Sequence, residues 1–153
     1  MDVQAIIFDK DGTLMKFDRF WVEVSRHAIN DILRQLGRED IPMPKLLGAL
    51  GVDGGISDID GLLCKGTYEQ IGLAIGGVLR EYGTDIPETD IVKMTLLAYD
   101  KNADAGKVEP VCDNIRAVLE KLKNGESVMH NGMEHFGISN VKRRLNIIYG
   151  DAA

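Results

Sequence analysis

The sequence predicts an α/β fold, with a core built on a parallel sheet and a helical segment inserted after the first strand. Two observations predict it. Short apolar runs alternate with segments of helical periodicity, and strands that are separated by helices indicate a parallel sheet. The helical block at residues 16–107 is too long for one crossover connection, so we expect it to form a small subdomain. Residues 1–15 and 108–153 then form the core.

The composition of the 153-residue chain is typical of a globular protein. It carries 18 basic and 24 acidic residues, for a formal net charge of −6, and 44% of its residues are apolar. This balance excludes wholesale disorder and argues against a nucleic-acid partner, because phosphate-backbone binding needs a basic surface. No apolar run approaches the ~20 residues of a membrane span, and the N-terminus carries no secretory signal. Cys64 and Cys112 lie outside any CxxC pattern, which indicates reduced thiols and a cytoplasmic protein.

The first strand is predicted at residues 3–8, an apolar run (VQAIIF) that ends abruptly at the run DKDGT. Such continuous apolar runs are typical of strands buried on both faces of a parallel sheet. The spacing of the apolar residues then changes to that of a helix. Residues 17–36 predict a long amphipathic helix that ends at Gly37. We expect His27, on the apolar stripe, to be packed rather than catalytic. The whole stripe comprises Phe20, Val24, His27, Ala28, Ile32 and Leu36.

Shorter helices and two more strands are predicted further along the chain. Thr67 and Gln70 form a capping-box pattern that begins a helix at residues 67–82. The stretch 51–61 is rich in glycine and aspartate and is expected to be a loop. The other predicted helices are residues 44–50, 88–100 and 110–123, and the later strands are residues 127–130 and 145–149.

The strongest chemical signal is the pair Asp9 and Asp11, placed with Gly12 where the first predicted strand ends. Ligand sites in parallel sheets form at the carboxyl ends of strands. Two carboxylates there can share one Mg²⁺, which prefers oxygen ligands and often uses one or two carboxylates with substrate phosphate. Asp9 can attack phosphorus to give an aspartyl-phosphate, while Asp11 can protonate the leaving alkoxide and later deprotonate water.

The alternative is an ordinary Asp-Gly turn that ends a strand, a common arrangement. The preceding apolar strand favours the functional interpretation. A second DxDG run at residues 58–61 follows a glycine-rich stretch instead of a strand, and we interpret it as a loop. Neither run has the glycine and glutamate spacing of a calcium-binding EF-hand.

The run FDKDGTL at residues 8–14 resembles motif I of the haloacid dehalogenase-like (HAD) hydrolases. The helical insert resembles the cap of the phosphoglycolate-phosphatase-like branch, and residues 62–67 (LLCKGT) are similar to a Leu-x-x-Gly-Thr stretch of that cap. The resemblance covers roughly residues 3–132. It implies a Rossmann-like parallel-sheet core with a helical cap, and a Mg²⁺-dependent phosphatase of a small phosphorylated metabolite that works through an aspartyl-phosphate.

The same resemblance implies roles for four residues of motif I. Asp9 corresponds to the nucleophile and a Mg²⁺ ligand, and Asp11 to the general acid and base. Asp11 also corresponds to a metal ligand through its backbone carbonyl. Gly12 and Thr13 correspond to the residues that shape the loop and bind phosphate.

The later motifs depart from the family. His130, before Asn131, stands where motif II has a serine or threonine. An imidazole can still donate a hydrogen bond, so we expect His130 and Asn131 to bind phosphate; the alternative is an ordinary histidine at the end of a strand. The candidates for the motif III lysine are Lys142, Arg143 and Arg144, and the alternative for this cluster is a solvated helix face. The candidate for a motif IV acid is Asp151, and the alternative is that residues 145–149 match the third strand, which precedes motif III.

The predicted core is short, since removal of the insert leaves roughly 60 residues, enough for two or three parallel strands. Either the chain is a fragment, or a partner covers the missing sheet edge, or the C-terminal stretch is divergent. An exposed sheet edge favours association, so a homo-oligomer is one expectation. The alternative function is an inactive HAD-like module that binds a partner. An aspartate-phosphorylated receiver domain fits less well, because an insert of ~90 residues after the first strand does not suit it.

Overall fold

The computed structural model describes residues 7–124, which are mostly helical: 58% of them lie in helices and 6% in strands. In chain order the elements of this part are α1 (Phe17–Leu36), α2 (Met43–Ala49), β1 (Val52–Asp53), β2 (Ile56–Ser57), α3 (Leu62–Lys65), α4 (Tyr68–Glu81), α5 (Glu88–Lys101) and α6 (Ile115–Lys123).

The predicted Rossmann-like parallel sheet is wrong, because the sheet found in residues 7–124 is the antiparallel pair β1–β2. Gly54 and Gly55 join the two strands at φ of +55° and +87°, the backbone of a two-residue hairpin turn. The strands are therefore hairpin neighbours instead of being separated by a helix. The prediction of residues 51–61 as loop throughout missed this hairpin.

The three strands predicted for the core fall mainly outside the described residues. Residues 3–6 of the first, and both later strands at residues 127–130 and 145–149, lie there. Of the first strand, Ile7 and Phe8 are described; neither belongs to a strand, and Ile7 is 94% exposed rather than buried. Residues 7–124 therefore contain no parallel-sheet edge to support the expected association.

The chain divides into two compact units. The terminal unit contains, among the described residues, 7–17 and 108–124, and the helical unit is Asp18–Lys107. These bounds lie close to the predicted division into residues 1–15 with 108–153 and residues 16–107. The role of a cap for the helical unit stays a prediction.

Helix α1 begins at Phe17 and ends at Leu36, the bounds that its periodicity predicts. Gly37 follows at φ +62°, and the amide of Arg38 donates to the carbonyl of Leu33 at 2.9 Å, the bond that closes a Schellman motif. His27 is exposed, so its predicted packing in the core is wrong. Three members of the predicted stripe, Val24, Ala28 and Ile32, are buried as expected. The other buried residues of α1 are Val22, Ser25, Ile29 and Leu33.

The capping box predicted for α4 is confirmed. The Thr67 hydroxyl accepts from the amide of Gln70 at 3.2 Å, and the Gln70 side-chain oxygen accepts from the amide of Thr67 at 2.9 Å. Further along α4, a Cβ on Gly72 would lie 3.0 Å from the Cα of Val92, so the absence of a side chain lets α4 approach α5 closely. The core that results contains aliphatic residues of α1, α2 and α4 with no exposed surface, and α5 adds the buried Ile91. The fully buried set includes Ile29, Ile32, Leu46, Ile75 and Leu79.

A buried polar pair joins α5 to α1 within the helical unit. The Tyr99 hydroxyl donates to the Ser25 hydroxyl oxygen at 2.8 Å, and the Ser25 hydroxyl donates to the carbonyl of Trp21 at 2.8 Å. Tyr99 is 2% exposed, and its ring packs against Tyr68 with centroids 5.3 Å apart. Burial raises the pKa of the Tyr99 phenol to about 12, although the hydrogen bond to Ser25 acts in the opposite direction.

Candidate functional site

The backbone of residues 9–15 closes on itself to form what we call the acidic turn. The amides of Leu14 and Met15 both donate to the carbonyl of Lys10, at 3.0 and 3.1 Å, and the amide of Gly12 donates to the carbonyl of Met15 at 2.9 Å. Gly12 has φ +75°, a left-handed conformation that side chains disfavour. The run that follows the first predicted strand is therefore a tight, hydrogen-bonded turn.

The acidic turn is attached to residues 109–111 of the same terminal unit. The amide of Lys16 donates to the carbonyl of Glu109 at 2.8 Å, and the amide of Val111 donates to the carbonyl of Leu14 at 3.2 Å. Met15 also forms an antiparallel bridge with Pro110. Residues 111–114 after this bridge form bends and turns, and α6 begins at Ile115, five residues later than predicted.

Two side-chain contacts organise the carboxylates of the acidic turn. The Thr13 hydroxyl donates to Oδ2 of Asp9 at 3.1 Å. Thr13 is only 8% exposed, whereas Asp9 is exposed, so a buried hydroxyl orients a carboxylate that solvent reaches. In the second contact, the Lys10 ammonium lies 2.9 Å from Oδ1 of Asp11. Asp11 is half-buried.

The structure thus brings four of the predicted site residues, Asp9, Asp11, Gly12 and Thr13, into one turn. The remaining predicted site residues lie outside the described residues: His130 and Asn131 for phosphate, Lys142, Arg143 and Arg144 for motif III, and Asp151 for motif IV.

The donor set of the acidic turn fits Mg²⁺ better than a transition metal. Within residues 7–124 no three or more His, Cys, Asp or Glu side chains are grouped to hold a metal ion. Mg²⁺ does not need such a cage, because it usually keeps several waters and binds through one or two carboxylates plus substrate phosphates. Asp9 and Asp11 are the residues that would hold the ion, together with phosphate and water.

The second DxDG run is a loop, as predicted, and its carboxylates have local structural partners. Oδ1 of Asp58 accepts from the amide of Asp60 at 2.9 Å, and Asp60 forms an ion pair with Lys65. A Cβ on Gly51 would lie 2.7 Å from the Cα of Gly61, so the two glycines permit a close approach of the backbone. These contacts explain the aspartates and glycines of this loop as turn residues.

Sequence reasoning missed two features of the acidic turn. The bond from the Thr13 hydroxyl to Asp9 is not signalled by the sequence, and phosphate binding by Thr13 stays a prediction. Lys10 was given no role, although a basic residue between two acids in a tight turn is a signal for an ion pair, and Lys10 pairs with Asp11.

Among the described helices, none combines the length and the apolar character needed to cross a membrane.

No family model matches the chain, and neither a curated protein nor a solved structure matches it significantly. The site is therefore interpreted from its own residues.

Proposed function

We propose that this chain is a Mg²⁺-dependent phosphatase of the HAD type that hydrolyses a small phosphomonoester. One observation carries the proposal: the buried Thr13 hydroxyl holds Oδ2 of the exposed Asp9 in a closed, glycine-dependent turn. A nucleophile needs both features, since its orientation must be fixed and substrate must reach it. The FDKDGTL resemblance supplies the reaction class.

The proposed reaction has two steps, and both use the acidic turn. Asp9 attacks phosphorus and the bond from phosphorus to the substrate oxygen breaks, while Asp11 gives that oxygen a proton. The products are an alcohol and a phosphate ester on Asp9. Asp11 then takes a proton from a water that attacks the same phosphorus, which releases inorganic phosphate and restores Asp9.

The charge of the substrate explains why the proposal includes a divalent cation. The chain has a formal net charge of −6, and the acidic turn itself presents two carboxylates. A bound Mg²⁺ supplies the positive charge that a phosphate dianion needs beside them. We assign the ion to the Asp9 carboxylate and the Asp11 backbone carbonyl, and we keep His130 and Asn131 as proposed phosphate ligands.

Two further parts of the proposal concern the rest of the chain. We assign the helical unit the role of a cap that excludes bulk water during the reaction. We also propose a cytoplasmic location. Its support is that Cys64 and Cys112 are both free thiols in the structure.

Metal dependence of phosphate release tests the proposed function. We expect the purified chain to release inorganic phosphate from members of a panel of small phosphomonoesters when MgCl₂ is present. A chelator should abolish the release, and added Mg²⁺ should restore it. A preparation of Asp9→Asn made in the same way reports any contaminating phosphatase. Absence of release from every ester tested, or equal release with and without the metal, would favour the inactive, partner-binding module.

A further inference from the structure

We propose that Lys10 is an internal counter-ion of Asp11 whose positive charge weakens the binding of the divalent cation. In the metal-free chain the Lys10 ammonium pairs with the Asp11 carboxylate, and a cation that binds beside this pair is repelled by the ammonium. This inference deepens the proposed function and rests on it, because it concerns the same pair of carboxylates. It assigns a role to the residue that separates the two aspartates.

The contact between the two side chains is direct. The Lys10 Nζ lies 2.9 Å from Oδ1 of Asp11, within the range of a charge-assisted hydrogen bond. The Lys10 side chain is 55% exposed and that of Asp11 is 34% exposed. Solvent and ions therefore reach the pair, so the binding of a cation beside it requires no opening of the core.

The backbone of the acidic turn holds Lys10 beside its partner. The carbonyl of Lys10 accepts hydrogen bonds from the amides of both Leu14 and Met15, so its main chain is fixed by the turn itself. The ammonium thus reaches Asp11 from a fixed point one residue away. Part of the conformational freedom that an ordinary surface lysine would lose on pairing is already restricted here.

The Lys10 charge is expected to lower the affinity of the site for a divalent cation. A cation held by the Asp9 carboxylate and the Asp11 backbone carbonyl would lie close to the ammonium that pairs with the Asp11 side chain, and the two positive charges repel each other. Exposed ion pairs are weak, so the ammonium lowers the metal affinity without preventing binding. Removal of the Lys10 charge is therefore expected to tighten the binding of the divalent cation about three- to fivefold.

The chain offers a matched control in Lys16. Lys16 lies in the same terminal unit, its side chain is 50% exposed, and its ammonium lies 3.7 Å from a carboxylate oxygen of Glu109. Lys10→Met and Lys16→Met therefore remove the same charge from exposed lysines. Only the first removes the charge that pairs with Asp11.

The experiment measures metal binding without substrate or turnover. The full chain and each variant are titrated with Mn²⁺, which shares the oxygen-ligand preference of Mg²⁺, and free Mn²⁺ is followed by its electron paramagnetic resonance signal. MgCl₂ then displaces the bound Mn²⁺ and gives the Mg²⁺ affinity. We expect Lys10→Met to bind both ions about three- to fivefold more tightly than the wild type. Lys16→Met should match the wild type, and Lys10→Arg, which keeps the charge, should not bind more tightly than the wild type.

Each other outcome has a distinct meaning. Binding by the wild type with an equal or weaker affinity in Lys10→Met would overturn the role of Lys10 and leave the metal site standing. An equal gain in Lys16→Met would also overturn it, because the effect would then come from net charge. Binding by neither the wild type nor Lys10→Met would overturn the inference together with the metal site of the proposed function.

Discussion

Replacement of Asp9 by asparagine is expected to abolish Mg²⁺-dependent phosphate release, lowering kcat by at least about 1,000-fold. The amide cannot form the phosphate ester, and it removes one negative charge from the proposed metal site. The fold should be unaffected, because Asp9 is exposed and the amide oxygen of the new side chain can still accept from the Thr13 hydroxyl. The measurement is steady-state phosphate release, paired with a thermal melt of each protein.

The second DxDG run supplies the control for this substitution. Asp58 is also an exposed aspartate of a DxDG loop, and its Oδ1 accepts from the amide of Asp60. Asp58→Asn makes the same chemical change and preserves that acceptor, so we expect nearly wild-type release. Retention of most of the activity by Asp9→Asn, or an equal loss in Asp58→Asn, would contradict the assignment of Asp9 as the nucleophile.

The second large effect is a loss of stability at alkaline pH that comes from Tyr99. Burial raises the pKa of its phenol from 10.0 to about 12, so the folded state binds the proton more tightly than the unfolded state does. This contribution is fully present below pH 10 and is lost as the pH rises from 10 through 12. A shift of this size corresponds to a loss of about 3 kcal/mol in the free energy of unfolding.

Tyr99→Phe removes the ionisable group and should flatten this part of the pH dependence. Near neutral pH the variant should be less stable by about 1 kcal/mol, since the hydrogen bond to Ser25 is lost. Urea unfolding at several pH values between 7 and 12 measures both effects, and Tyr82→Phe is the control, because Tyr82 is an exposed tyrosine. Parallel curves for the wild type and Tyr99→Phe above pH 10 would exclude Tyr99 as the source.

The helices were predictable because their signals are local. The bounds of α1 follow from its periodicity and from Gly37, and the start of α4 follows from the pair Thr67 and Gln70. The β1–β2 hairpin was missed although Gly54 and Gly55 are a recognised signal for a two-residue turn. Strands of two residues on either side are too short to show an alternating pattern.

The parallel sheet was not predictable by the same means, because a short apolar run does not identify its own partners. The run that ends at Phe8 has the composition of a buried strand, yet Ile7 is exposed. His27 shows a related limit. Residue spacing alone places it on the buried face of α1, but its side chain is exposed while the adjacent Ala28 is buried.

The candidate site was predictable in its residue types and less so in its contacts. Asp9, Asp11 and Gly12 stand out in the sequence because acids next to a glycine point to a turn with ligand oxygens. The bond from Thr13 to Asp9 depends on the closure of the turn by the carbonyl of Lys10, which no sequence pattern specifies. The ion pair of Lys10 joins it to the adjacent Asp11, and the position of a lysine between two acids is a sequence signal for that pair.

The most direct test of the account is chemical trapping of the phosphate ester on Asp9. The chain is mixed with Mg²⁺ and a phosphomonoester that it hydrolyses, and the reaction is quenched during turnover. The protein is then reduced with borohydride, which converts an aspartyl-phosphate to homoserine. Peptide mass spectrometry then locates the change. We expect homoserine at residue 9, and we expect it only when both substrate and Mg²⁺ are present. Active turnover with residue 9 unchanged, or with the reduced aspartate elsewhere in the chain, would contradict it.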